Sequence, residues 1–387
     1  MNNFNYYIPT RIFFGPGSIK ELGTAKLPGE KALIVISAGP SMKKYGYLQK
    51  VQELLTNNNT ESVVFDKILP NPVKSHVMEG AELARKEKCD FILGLGGGSS
   101  IDSAKSIALM VKNPGDYWDY IHGGGGLGKG FKEPVLPVVA ITTTAGTGTE
   151  ADPWTVITNE ELHEKIGFGG DDFFPVMSIV DPEMMLSIPP GLTAYQGFDA
   201  FFHAAEGYIA NIATPVSDIY ALKSIALLAE FLPVAVKNGK DLEARTKIAL
   251  ANTLSGMVES TSSCTSEHSM EHALSAFHPS LPHGAGLIML SESYFKYFAE
   301  VCPKRLMEMS KAMGEAGKKP ADFITALIKL QKNCGVADLK MSDYGIEKNE
   351  INKIAENAHH TMGGLYDMDR KTLSLEETIK IITAAYK

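Results

Sequence analysis

Apolar residues along this chain fall into two textures. Over roughly the first 180 residues they form short continuous runs bounded by turn residues. KALIVIS (31–37), SVVFD (62–66), FILGLG (91–96) and PVLPVVAITT (134–143) are predicted as buried strands. Between them, 41–57, 75–88 and 99–112 carry apolar residues three and four apart and are predicted as helices. Alternating strands and helices imply a parallel, Rossmann-like sheet covered by helices on both faces. Past Asp181-Pro182 the strand pattern fades. Helices are predicted over 192–212, 215–236, 241–262, 266–277, 284–299, 304–315, 320–333, 349–361 and 375–386. The Pro189-Pro190 pair cannot lie inside a helix and marks the change. The expected organisation is an α/β dinucleotide-binding domain over 1–188 and an all-helical domain over 189–387.

Composition narrows the function classes. The chain has 387 residues, 44% hydrophobic and 21% charged, which suits a globular protein of two domains. A net charge of −8 without a Lys/Arg stripe leaves no electrostatic footprint for nucleic acid. No run of about eighteen apolar residues stands out as a membrane span, and MNNFNYYIPTRIFFG does not read as a secretion signal. Cys89, Cys264, Cys302 and Cys334 form no CxxC pair, so a reducing, cytoplasmic setting is expected.

The candidate chemistry lies in histidines and glycines. Asp199 and His203 are four apart, as are His268 and His272, and His283 follows in Pro282-His283-Gly284. On helices, such pairs aim two donor atoms at one point, and imidazoles with a carboxylate suit a divalent transition metal. In FILGLGGGSSIDSAK (91–105), glycines between strand and helix let the backbone approach a phosphate at the helix N-terminus. A second glycine- and hydroxyl-rich loop, ITTTAGTGTE (141–150), follows the next strand. The GxGxxG pattern is absent. HGGGGLGKG (122–130) reads as a flexible surface loop. After KALIVI, where NAD-binding sheets commonly place an acid, stand Ser37, Gly39, Ser41, Lys43 and Lys44. Without a carboxylate to repel a 2′-phosphate, NADP is favoured over NAD.

These segments together resemble the iron-containing (group III) alcohol dehydrogenase family, over essentially the whole chain. The resemblance runs through IFFGPGSIKELG (12–23), PNPV (70–73), GGGSSIDSAK (96–105), TTTAGTGTE (142–150), the VDP turn (180–182), GFDAFFHAAEGY (197–208) and EHSMEHALSAFHPSLPHGAGLIML (267–290). It is nearest in pattern to NADP-linked butanol-dehydrogenase-type and 1,3-propanediol-dehydrogenase-like members. It implies a dehydroquinate synthase-like architecture with the active site in the interdomain cleft. It implies iron, with zinc as runner-up, on Asp199, His203, His268 and His283. Cofactor contacts are implied at Asn71, Gly97, Gly98, Ser99, Asp102, Thr142, Thr143, Thr147 and Lys165, and homodimers or larger assemblies are expected. The stretch between His272 and His283 is one residue longer than the commonest family spacing, and His278 within it reads as a turn residue.

The resulting expectation is a hydride transfer between NAD(P)(H) and a small primary alcohol or aldehyde whose oxygen the metal polarises. His272 is placed near the nicotinamide as a proton relay, with orientation of a neighbouring ligand as its other reading. Asp102 could cap a helix instead of touching cofactor. Phe201 and Phe277 are candidates for lining a substrate pocket, though core packing suits each singly. The alternatives are a dehydroquinate synthase-like lyase, polyol oxidation of the glycerol-dehydrogenase kind, or a non-catalytic metal- or nucleotide-binding protein. A lyase gripping an acidic substrate wants Lys or Arg near the metal, and segments 191–213 and 262–290 contain none.

Overall fold

A computed structural model describes residues 3–387. The chain divides into two compact units: one comprises Ile8–Thr144 and Thr149–Ser187, the other Ala145–Gly148, Ile188–Lys387 and the described residues 3–7.

The α/β unit runs β1 (Arg11–Phe14), β2 (Lys31–Ser37), α1 (Ser41–Lys44), α2 (Tyr47–Asn57), β3 (Glu61–Ile68), α3 (Lys74–Glu87), β4 (Phe91–Gly96), α4 (Gly98–Lys112), β5 (Val138–Thr142), β6 (Trp154–Asn159), β7 (Glu164–Gly169) and β8 (Met177–Val180). Six strands form a wholly parallel sheet in the order β1-β8-β5-β4-β2-β3, and β6 and β7 form a separate antiparallel hairpin. Ile34, Leu93, Ile141 and Ile179 are wholly buried. Each contributes about 1.5–3 kcal/mol by leaving water. The chain moves outward from β2 to β3 and returns on the other side of β2 as β4. That reversal puts the topological switch point beside the carboxyl end of β4. At Gly94 a Cβ would come within 2.9 Å of the Ile101 backbone, so the missing side chain lets α4 lie directly on β4.

Several elements differ from their sequence-based expectation. The helix expected over 41–57 is broken into α1 and α2 at Gly46, which adopts φ +73°. The strand expected over 134–143 is reduced to 138–142, with Pro134 and Pro137 left outside the ladder. The short strands β1 and β8 and the β6–β7 hairpin were not expected. The glycine loop 122–130 is not free: Glu164 of β7 accepts from Gly125 N–H at 2.8 Å and from the Trp118 indole at 2.9 Å.

The helical unit runs α5 (Pro190–Ile209), α6 (Pro215–Lys237), α7 (Leu242–Thr261), α8 (Ser266–Phe277), α9 (His283–Val301), α10 (Pro303–Ala312), α11 (Ala321–Asn333), α12 (Ile351–Tyr366) and α13 (Leu375–Ala385). Pro190 stands in the first turn of α5, where its missing N–H costs no hydrogen bond. Among the described residues one helix, α6, with its 23 residues, is by length and composition apolar enough to cross a membrane. It packs against α5 and α7 and carries Asp218, Lys223 and Glu230, so length and composition alone do not make it a span. Phe201 is wholly buried and stacks on Phe323, with Phe198 and Phe202 beside it, so it belongs to the core.

Candidate metal centre and cofactor turn

In the helical unit, α5 presents Asp199 and His203 one turn apart, α8 presents His268, and α9 opens with His283. One donor atom from each lies within 4.8 Å of all the others. The imidazoles converge through the same nitrogen. Nε2 of His203, His268 and His283 lies 3.5, 3.7 and 3.3 Å from Asp199 Oδ1. The His203 and His268 rings stack with centroids 4.5 Å apart. Asp199, His203 and His268 are buried and His283 is partly exposed. Asp199 Oδ1 and His268 Nε2 are buried without a hydrogen-bond partner. Such orphaned atoms are costly unless a cation meets them.

The electrostatics of Asp199 and His203 agree with that geometry, and those of His268 oppose it until a cation displaces its Nε2 proton. Burial raises the Asp199 pKa, but the imidazoles of His203, His283 and His268 outweigh it and hold the carboxyl well below its ordinary range. Burial drives His203 down to about 3, against the pull of Asp199. His268 is opposed by burial too, yet Cys264, Glu206 and Asp199 carry it well above its usual value. One ring held neutral and a carboxylate held ionised are what a dication needs.

Beyond the ligand atoms lies a set of residues that sequence reasoning missed. His268 Nδ1 meets Glu206 Oε1, His283 Nδ1 meets Glu271 Oε2, and His203 Nδ1 lies 3.6 Å from Glu259 Oε2. A sequence signal existed: Glu206 follows His203 by three residues, and Glu271 follows His268 by three. Spacing nominates both glutamates, but neither pairs with the histidine on its own helix. His272 groups with Glu271 and His283 in a second cluster, its ring 5.4 Å from that of His283. His278 is the C-cap of α8 and pairs with Glu350 at 3.2 Å, outside the candidate ligand groups. Phe277 ends α8 under the Lys353 ammonium, 3.9 Å from the ring centroid.

In the α/β unit several of the expected cofactor residues lie at the carboxyl ends of the parallel strands. Ser37 ends β2, Gly97, Gly98 and Ser99 form the β4–α4 turn, and Thr142 ends β5. Thr143 N–H donates to Gly96 O at 2.8 Å, joining the two loops. No side chain caps α4. Its first N–H groups can therefore face an anion. Lys165 lies opposite Thr158 in the β6–β7 hairpin, and Thr158 bridges Val73, two residues from Asn71. Asp102 is occupied internally, accepting from Thr149 Oγ1 at 2.7 Å and Val156 N–H at 3.0 Å. Lys43 is occupied as well, 2.5 Å from Asp66. Thr147 falls in the segment 145–148 that belongs to the helical unit, where Gly148 N–H donates to Asn252 Oδ1 at 3.0 Å. Gly148 has φ +67° and a Cβ there would meet the Gly256 backbone at 2.4 Å, so the loop's approach to α7 requires glycine at this position.

The family model for iron-containing alcohol dehydrogenase matches residues 9–182, and the model for the C-terminal part of the same family matches 193–386. The chain belongs to the iron-containing alcohol dehydrogenase family. Its relatives include the NAD-dependent methanol dehydrogenase of Bacillus methanolicus, 34% identical over 92% of this chain and 93% of that one. The NADPH-dependent butanol dehydrogenase of Clostridium saccharobutylicum is 31% identical over 91% of each. Among solved structures, an archaeal halo-thermophilic alcohol dehydrogenase from a Red Sea brine pool aligns over 100% of both chains, with a TM-score of 0.94 and 32% identity. As a member of this family the chain is an oxidoreductase with the fold expected from its sequence, an α/β nucleotide-binding part followed by helices. Iron and a nicotinamide cofactor are the partners this membership supports, and the lyase reading is not favoured.

Proposed function

We propose that this protein interconverts a small, uncharged primary alcohol and its aldehyde, moving a hydride to or from NADP(H). The observation that carries the reading is the convergence of three Nε2 atoms on Asp199 Oδ1, with Asp199 and His268 atoms buried and unpartnered. Asp199, His203, His268 and His283 would hold Fe2+, or Zn2+ as runner-up, because imidazole with one carboxylate suits either ion. A divalent metal there supplies a Lewis acid for the substrate oxygen. His272 takes or returns the hydroxyl proton, since an imidazole exchanges protons near neutrality. The β4–α4 turn and the loop after β5 hold the dinucleotide phosphates. Asn71, Asp102, Thr147 and Lys165 join the cofactor site, Asp102 chiefly by bracing the turn through Thr149.

The absence of Lys and Arg from 191–213 and 262–290 supports an uncharged substrate. The preference for NADP rests on Ser37, with Gly39 and Ser41 beside it, because Lys43 is paired to Asp66. Four free cysteines support a reducing, cytoplasmic setting. The sheet ends on β1, an edge strand that a second copy of the chain can meet, so a homodimer or larger assembly is proposed.

Anaerobic reconstitution with iron or zinc, then oxidation of NADPH and NADH against butanal, lactaldehyde, 3-hydroxypropanal and dihydroxyacetone, tests the reading. Metal-dependent NADPH consumption with a short aldehyde is expected. Preference for NADH would overturn the Ser37 argument, and inertness toward every carbonyl compound would overturn the dehydrogenase reading itself.

A further inference from the structure

Each proposed ligand histidine turns its second nitrogen toward a different glutamate, and the glutamates come from three different helices. Glu206 of α5 contacts Nδ1 of His268, Glu271 of α8 contacts Nδ1 of His283, and Glu259 of α7 faces Nδ1 of His203 at 3.6 Å. Two of these carboxylates are wholly buried. Their other contacts aim them. Thr265 donates to Glu206 Oε2 from both its N–H and its hydroxyl at 2.8 Å, and Ser275 Oγ donates to Glu271 Oε1 at 2.8 Å. The Cys264 thiol donates to Glu259 Oε1 at 3.2 Å, leaving Oε2 for His203.

We infer that Glu206 and Glu271 are positioning residues that lock His268 and His283 in the Nδ1–H tautomer, so that each Nε2 lone pair points at the metal, while Glu259 faces His203 Nδ1 beyond hydrogen-bond reach and biases that ring by its charge. An ionised carboxylate can only accept from Nδ1, so a proton is held there and Nε2 is the nitrogen that gives up its proton when a metal binds. The same arrangement surrounds a dication with four carboxylates, counting Asp199, and three imidazoles. That excess of negative charge strengthens the imidazoles as donors and opposes loss of the ion. Residues 267–272, Glu-His-Ser-Met-Glu-His, thereby acquire a division of labour: His268 is a ligand, and Glu271 serves a ligand on the next helix.

The inference rests on the proposed metal centre, and cobalt(II) binding by the full chain tests the two separately. The metal-free wild type and E206Q, E259Q and E271Q are titrated with Co2+ against a competing chelator, with the visible absorption recorded. E206Q and E271Q are expected to bind about 10–100-fold more weakly. E259Q should show a smaller loss because its contact is longer. Altered cobalt absorption bands should accompany the losses, while the melting temperatures of the metal-free forms stay near that of the wild type. A purely structural role would lower those melting temperatures and leave the bands of the bound ion unmoved, which would overturn the inference. Unchanged affinity and spectra in all three variants would also overturn it. Should E206Q fail to fold, E259Q and E271Q decide the question by the same two readouts. Two cobalt ions per chain, one lost in E259Q, would overturn the role of Glu259 and mark His203, Glu259 and Cys264 as a second metal site. A wild type that binds no cobalt would instead sink the metal centre itself.

Discussion

Each unit of this molecule buries a cluster of ionisable groups, and the two clusters differ in whether they are complete. In the α/β unit, Lys105 is wholly buried and donates to Thr149 Oγ1, Asp152 O, Asp152 Oδ1 and Trp154 O at 2.7–3.2 Å. Asp102 and Asp152 accept in turn from Thr149, Val156 and Trp154. Among the described residues, no fully buried side-chain nitrogen or oxygen of Lys105, Asp102 or Asp152 lacks a partner. In the helical unit, Asp199 Oδ1 and His268 Nε2 are buried and bond to nothing. The aspartates mark the contrast. Burial, only partly offset by Lys105, pushes Asp102 up to about 6, whereas three imidazoles hold Asp199 well down. A closed cluster braces a fold. A cluster with converging unpaired atoms is a binding site for whatever completes it.

Substitutions in the two clusters should therefore fail in different ways. His268→Ala should abolish metal retention and lower kcat/KM by several kcal/mol, about a thousandfold, without unfolding the α/β unit. Lys105→Met should do the reverse. Removing one partner of a buried ion pair costs about 3–5 kcal/mol of stability. Urea unfolding followed beside metal analysis of the folded fraction reads both, and equal metal loss in the two variants would erase the distinction. Next in size, His272→Gln should keep the metal yet lower kcat about a hundredfold, with a flattened pH profile, as expected of a proton relay. If metal content falls along with kcat, His272 serves a ligand instead.

The smallest effect concerns pH. Folded Asp102 keeps its proton up to about 6, while the unfolded side chain releases it near its ordinary value of about 4. The folded state thus binds more protons in that window, and this group's contribution to stability is lost as pH rises through it. Asp102→Asn, which cannot ionise, should flatten the decline between about pH 4 and 6 in thermal melts. A decline equal to that of the wild type would show that Asp102 is already charged when folded.

Much of both regions was legible along the chain. FILGLG was expected as a strand and is β4 to the residue, because a continuous apolar run bounded by glycines has few other places to go. Asp199 and His203 were paired from their spacing, since the helix period alone puts them on one face. The strands β1 and β8, four residues each, escaped because such short runs carry no period of their own. They are strands because they bond to each other, and β8 also to β5. Lys105 escaped for a related reason. Nothing in GGGSSIDSAK separates a lysine in solvent from one whose ammonium is sealed by carbonyls about fifty residues on.

Local periodicity is a short-range property, so the sequence by itself determined the order of strands and helices, the glycine turn, and which residue types could meet a metal. Only the tertiary structure decided the pairing between helices. Glu206 serves His268 and not His203, and Glu271 serves His283 across the α8–α9 turn. Gly148, in the loop after β5, packs on Gly256 and donates to Asn252 of α7. Those outcomes depend on how side chains from distant segments fill the same buried space, and spacing along one helix contains no information about which other helix will face it.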